Sequence, residues 1–321
     1  MKKGLLVVFA LLVLLVGSVY IFIPAQLAVS SFVFVNANSV ATFRCLTDEA
    51  KWLAWWPGTV STHATPGEGA KDFQYNNTAY HISEASVNAV GIRISNDATQ
   101  TPSVLQTVKY GPDSTAIQWT CTLETGHNPV SKIAAYRKAV LLKSNMDAVL
   151  KKAQAFLSKP ENVYGITINR VLLKDSTLIA TRYFSASYPD TETVYSLIAR
   201  LRHYAAQQGA QETNYPMLHV EDRKEGQVET MVALPVNKML AGNGSIFFKR
   251  LLVPTVLTTD VYGGPEKLKK ANTEMMNYIN DLHLFSPAIS FESLITDRLA
   301  EHDTSKWITK IYLPVMQLKT R

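Results

Sequence analysis

The feature that most constrains this chain is that its second half is written twice. From Gly165 onward, SASYPDTETVYSLIARLRHYAAQQG is answered by TTDVYGGPEKLKKANTEMMNYINDL, and VETMVALPVNK by WITKIYLPVMQ. At one constant offset Tyr188 falls on Tyr262, Glu192 on Glu266 and Tyr204 on Tyr278. After a few inserted residues, Leu234-Pro235-Val236 falls on Leu313-Pro314-Val315. Self-similarity of this kind marks a supersecondary unit used more than once. Each copy reads as strands, a helix, then two strands. In the first helix Val194, Leu197, Ile198 and Leu201 form an apolar face that ends near Gly209. In the second, Leu268, Ala271, Met275 and Ile279 do the same, with Pro265 suited to the first turn.

Such a pseudo-twofold pair resembles the GyrI-like domain, the effector-binding domain of bacterial transcription activators. YGGPEKL before the second helix and KIYLPVM at the terminal strand carry the resemblance, which covers residues 165–321. It implies a groove between the halves that binds small molecules, often hydrophobic cations, through aromatic walls and a buried glutamate. A desolvated carboxylate among rings supplies charge while the rings supply area and cation–π attraction. The position matching that glutamate holds Lys310, and its first-half counterpart is Met231, a departure from the family pattern. Glu229, two residues before Met231 on the same strand face, stands as the substitute. The opposed reading leaves Glu229 in solvent and lets Lys310 snorkel out. Tyr183, Tyr188, Tyr262, Trp307 and Tyr312 are the aromatic candidates for the groove, against the plainer reading of each as core.

The first half has its own constraint: KWLAWWPG places Trp52, Trp55 and Trp56, three of the chain's five tryptophans, within one helical turn and a half. Before it, SSFVFV reads as a strand from Ser31 to Val35, and Ser39 caps a short helix carrying Val40, Phe43 and Leu46. A second short helix opens at Thr47 or Asp48 and closes at Pro57-Gly58. Strand-like stretches follow near Phe73–Tyr75, Tyr80–Ser83, Val87–Ile94, Ser103–Tyr110 and Ser114–Leu123, the last two joined by the turn YGPDS. In the final stretch Ile117, Trp119, Cys121 and Leu123 alternate with polar residues, so one face is buried. A long helix runs from about Val130 to Leu157, with Ser144-Asn145 as a place for a break, and SKPENVYG reads as a linker. This order, with VNANSVATFRCLTDEAKWLAWWPG, resembles the START-like (polyketide cyclase/dehydrase) helix-grip superfamily over residues 26–160. The resemblance implies a cavity between a curved sheet and the long helix, with Trp55, Trp56 and Trp119 as candidates to line it. Trp52 and Trp55 read first as a core plug, and Trp56 as a shield for the turn or the cavity mouth.

Residues 1–25 read as a signal anchor. The uncharged run from Gly4 to Pro24 is long enough to span a bilayer, and Lys2 and Lys3 favour the cytoplasmic side. The expected protein is therefore single-pass, held in the membrane through residues 4–24, with extracytoplasmic domains; the rival is a cleaved signal peptide. The expected fold is α+β: that helix, a helix-grip antiparallel sheet, and a duplicated sheet-and-helix domain.

The net charge of +6 is spread thinly, without the basic stripe of a nucleic-acid binder, so no nucleic-acid partner is expected. No HExxH, CxxC pair, GxSxG, GxGxxG or phosphate-loop motif occurs, and His63, His81 and His219 are dispersed, so no metal or cofactor is expected. GEG around Glu68 is a loop. Cys45 and Cys121 are either a pair or two core thiols. The leading functional expectation is a non-catalytic binder of a hydrophobic or aromatic small molecule. The alternatives are an enzyme using Glu229 with Tyr312 or Lys310, and a ligand-responsive regulator acting through protein partners.

Overall fold

The computed structural model describes residues 2–60, 72–96, 99–111, 113–173, 177–251 and 255–316, so His63, Glu68 and Pro112 of the YGPDS turn lie outside the described residues. The chain divides into two compact units, Met1–Val163 and Tyr164–Arg321. Among the described residues it is an α+β structure with seven α-helices and two antiparallel sheets.

In the first unit, α1 (Lys2–Phe22) leads into β1 (Gln26–Val35), α2 (Ser39–Thr47) and α3 (Glu49–Trp55). Strands β2 (Thr59–Val60), β3 (Asp72–Tyr75), β4 (Thr78–Ala85), β5 (Ala89–Asn96), β6 (Thr99–Gly111) and β7 (Ser114–Glu124) follow, then α4 (Pro129–Leu157) and α5 (Pro160–Tyr164). The sheet runs β1-β7-β6-β5-β4-β3-β2, and α4 packs along β1 and β7. Asn38, not Ser39, caps α2 by accepting from the Val40 N–H, and Asp48 caps α3 through Ala50. Helix α4 is unbroken at Ser144-Asn145, because buried Asn145 accepts a hydrogen bond of 2.9 Å from the Asn76 amide instead of disrupting the backbone. The stretch read as a linker is the short helix α5. Cys45 and Cys121 are both buried and unbonded, and burial pushes the Cys121 thiol up to about 11.

The expected membrane anchor is overturned. A helix forms over Lys2–Phe22, but among the described residues no helix is long and apolar enough to cross a membrane. The side chains of residues 1–6, Lys2 and Lys3 among them, lie outside the described ones. The end of the helix is tied to protein: the Tyr20 hydroxyl donates to the His127 carbonyl at 2.9 Å, and the Lys132 ammonium lies 5.6 Å from the Tyr20 ring and donates to the Ile23 carbonyl at 2.7 Å. The single-pass topology, and the extracytoplasmic placement that depended on it, are withdrawn.

The second unit contains β8 (Asn169–Leu172), β9 (Thr177–Ser185), α6 (Thr191–Gln207), β10 (Met217–Asp222), β11 (Val228–Pro235), β12 (Ile246–Arg250), β13 (Thr255–Tyr262), α7 (Pro265–Asp281), β14 (Phe291–Leu294) and β15 (Ile308–Pro314). Its sheet order is β12-β9-β11-β10-β14-β15-β13-β8. Read outward from the centre, β10-β11-β9 is matched by β14-β15-β13, so the written repeat is a spatial pseudo-twofold between β10 and β14. Leu218 pairs with Glu292 across that seam, and the offset between them is the one that separates Leu201 from Met275. The axis therefore passes beside this pair.

Both helices lie on one face of the sheet. Val194, Ile198 and Leu201 of α6 pack with Ile179, Leu218, Val232 and Leu234. Ala271, Met275 and Ile279 of α7 pack with Leu257, Val261, Ile311 and Leu313. Both helices end alike, with Gly209 (φ 61°) and His283 (φ 51°) in the left-handed region and the next amide closing back on Ala205 or Ile279. The repeat is imperfect between strand and helix. Leu178 pairs with Pro235 and Val256 with Pro314, so counting along the strands sets Tyr262 at the place of Phe184. Tyr188 sits in a longer connection that Gly263-Gly264 replaces in the second half.

Candidate functional site

A groove of about 950 Å³ lies over the seam, lined by residues of both α6 and α7. Its floor includes Leu218, Val220, Glu292, Ile311 and Leu313, because alternate strand residues point to one face. One wall is the start of α6 with Tyr188, Val194 and Tyr195. The other is the α7 stripe Leu268, Asn272 and Met276, spaced four apart so that they share a side of the helix.

Glu292 is the chemically distinctive group. It is half-buried at the seam, and burial pushes its carboxyl above the usual carboxylate range, with the Arg298 charge partly opposing. Arg298, desolvated too, donates to the Thr309 hydroxyl at 2.8 Å and lies 4.7 Å from the Trp307 ring centroid. Its backbone N–H donates to the Tyr195 hydroxyl at 2.7 Å, which itself donates to the Thr296 carbonyl at 3.0 Å. Tyr195 thus clamps the loop that carries Arg298 against α6. His219 donates from Nδ1 to the Ser290 carbonyl at 2.7 Å and closes the end of the groove where β10 and β14 part.

Of the seven groove residues expected from the sequence, Tyr188 alone lines this cavity; it is exposed and donates to Asp222 at 3.1 Å. Tyr183 and Tyr262 are exposed and stand apart from it. Trp307 backs Arg298 from behind and donates to the Glu301 carbonyl at 2.8 Å. Glu229, Lys310 and Tyr312 have the opposite strand parity from Val232, Ile311 and Leu313, which places them on the face away from the helices. Glu229 is buried there between Arg223, at 2.6 Å, and Arg182, at 3.1 Å, rather than exposed to solvent. Lys310 pairs with Asp260 at 3.2 Å, and Tyr312 stacks on Phe291 at 4.9 Å.

The carboxylate that the groove does hold, Glu292, was missed. A signal for it existed: at the helix offset, FESL aligns with MLHV and sets a glutamate on Leu218.

In the first unit the tryptophans are packing. Trp52 contacts Trp55 at 4.7 Å and Phe73 at 5.4 Å; Trp56 contacts Tyr80 at 5.2 Å, and Tyr80 contacts Trp119 at 5.7 Å. Three of their N–H groups donate inward, Trp52 to the Leu46 carbonyl, Trp56 to that of Gln74 and Trp119 to the Ser103 hydroxyl, while the Trp55 N–H is buried without a partner. Gly58 is required beside them, since a Cβ there would fall 1.8 Å from the Gln74 carbonyl oxygen. A cavity found between α4 and the sheet, lined by Thr78, Ile94, Thr101 and Leu142, holds about 10 Å³, room for at most one water. Trp55, Trp56 and Trp119 do not line it.

No protein-family model matches the chain, and no curated protein matches it. Solved structures are similar to parts of it. The C-terminal domain of EcmrR is 19% identical over 48% of this chain and 99% of that chain, with a TM-score of 0.40. EcmrR in a DNA complex is 17% identical over 58% of this chain and 70% of that chain, with a TM-score of 0.41; the DNA belongs to that complex. A START superfamily protein from Mycobacterium smegmatis is 17% identical over 39% of this chain and 97% of that chain, with a TM-score of 0.28.

Proposed function

We propose that this chain is a small-molecule-binding protein with a START-like domain over residues 26–160 and a GyrI-like domain over residues 165–321. The second domain takes an amphipathic ligand with a positively charged end and a hydrophobic or aromatic body in the groove between α6 and α7. The observation that carries this reading is Glu292: a carboxylate made costly by desolvation, at the centre of an apolar floor, in a cavity of about 950 Å³. That size is ordinary for a ligand site with a few convergent polar groups. A bound cation restores the environment that the carboxylate lacks, while Leu218, Ile311 and Met276 cover the apolar body. Binding is favoured over the catalytic alternative because Glu229 is held by two guanidinium groups and Lys310 by Asp260, which leaves neither poised for proton transfer.

Hydrogen exchange with and without benzyltributylammonium, a hydrophobic cation, tests where a ligand sits. Protection of backbone amides in α7 and β14 is expected. Protection confined to the first unit, or none at saturating cation, would overturn the assignment.

A further inference from the structure

The face of the second sheet away from the helices carries another apolar site, of reversed charge. Leu178, Ala180, Met217, Met231, Ala233 and Phe291 pack there as a separate cluster. A cavity of about 30 Å³ opens among them, with Lys249 of the edge strand β12 in its lining. Tyr312, stacked on Phe291 with the rings 8° from parallel, extends the apolar surface at this cluster.

Lys249 is poorly served where it stands. Its ammonium donates to the Met231 thioether at 3.2 Å, and a thioether is a weak acceptor. Burial, with the nearby Arg182 charge, disfavours its protonated form and lowers its pKa; Glu229 opposes this. That carboxylate is already held by Arg182 and Arg223. Arg223 also pairs with Glu221 at 3.1 Å, so two guanidinium groups and an ammonium meet two carboxylates, and the one positive charge in excess stands beside an apolar wall.

We propose that this face is a second ligand site, for an apolar carboxylate such as a medium-chain fatty acid. Its head group pairs with Lys249, and its chain enters between Met217, Met231 and Phe291. The present volume admits about two waters and no ligand chain, so the walls must move apart. Methionine side chains are suited to that, being unbranched and polarizable. The ammonium exchanges a thioether for a charge-assisted hydrogen bond, roughly twice as strong as a neutral one. The site does not depend on the groove reading, although the cavities share Leu218, His219 and Phe291 where β10 and β14 pair over only a short ladder.

The test is titration calorimetry of the full chain with decanoate, using decanol as the uncharged comparison and benzyltributylammonium for the groove. Saturable one-to-one decanoate binding is expected, weakened tenfold or more by Lys249→Met, retained by Lys249→Arg, and not reproduced by decanol. Lys249→Gln repeats the test if the melting temperature of Lys249→Met shows a fold defect. Absence of saturable binding, a loss smaller than tenfold in both neutral variants, or equal binding of decanol would overturn the site. Decanoate binding without benzyltributylammonium binding would remove the groove reading and leave this one standing.

Discussion

Leu218 and Glu292 face each other across the central ladder of the second unit and occupy the same position of its internal repeat. One pseudo-twofold axis thus relates a leucine to a carboxylate, and the floor of a symmetric groove becomes chemically one-sided. A ligand entering it meets apolar surface from the first half and charge from the second. The account of function rests on this break in symmetry.

Glu292 makes stability depend on pH in a defined direction. Its folded pKa is raised above the unfolded value of about 4.3, so the stability it contributes is complete below that value and is lost as pH rises through the folded pKa. Glu292→Gln cannot ionise and keeps it. The variant is expected to resist urea better than the parent at pH 7.5, with the difference shrinking toward zero near pH 4. A variant less stable than the parent at pH 7.5 contradicts the burial argument.

Glu229 plays a structural part on the other face. Glu229→Gln removes the charge held between Arg182 and Arg223, and breaking a buried ion pair costs about 3 kcal/mol; half-exposed arginines put the expectation at the lower end. Urea unfolding should show that loss, while benzyltributylammonium affinity stays within about twofold of the parent. A large loss of affinity without loss of stability would return the binding role to Glu229.

His283 occupies a left-handed position that its counterpart fills with Gly209. A side chain there costs about 1 kcal/mol relative to glycine. His283→Gly is therefore expected to stabilise the second unit by about that amount in urea, and a destabilised variant would mean that the imidazole makes a compensating contact.

The first unit is predicted to be a filled body. Trp119→Ala removes a fully buried indole and its bond to Ser103, a change expected to cost about 3–5 kcal/mol. Groove affinity for benzyltributylammonium should not change in conditions where the variant remains folded. A stable variant that leaves the melting curve of the first unit unmoved would contradict the packing account of the tryptophans.

How much of this was legible depended on whether a segment has two different faces. The alternation of Ile117, Trp119, Cys121 and Leu123 announced a half-buried strand, and the apolar stripes of α6 and α7 announced their helices. Strand β11 gave no such guide. VETMVALP is buried at every position, so nothing in its pattern says which residues look toward the helices. Glu229 was assigned to the groove as a same-face neighbour of Met231, and Lys310 and Tyr312 through the family resemblance at KIYLPVM; the parity of all three turns them away from the cavity beside the helices. The repeat alignment misplaced Tyr262 against Tyr188 because the connection before α6 is longer than the Gly263-Gly264 turn. At the N-terminus, apolar composition gave no sign that Tyr20 and Ile23 would be tied to His127 and Lys132.

The most direct test of the central claim is calorimetric titration of benzyltributylammonium into the parent chain, Glu292→Gln and Glu229→Gln. The account predicts one site per chain, an affinity at least tenfold weaker in Glu292→Gln, little change in Glu229→Gln, and tighter binding to the parent as pH rises and Glu292 ionises. Binding to Glu292→Gln as tight as to the parent, with no pH dependence in either, would contradict it.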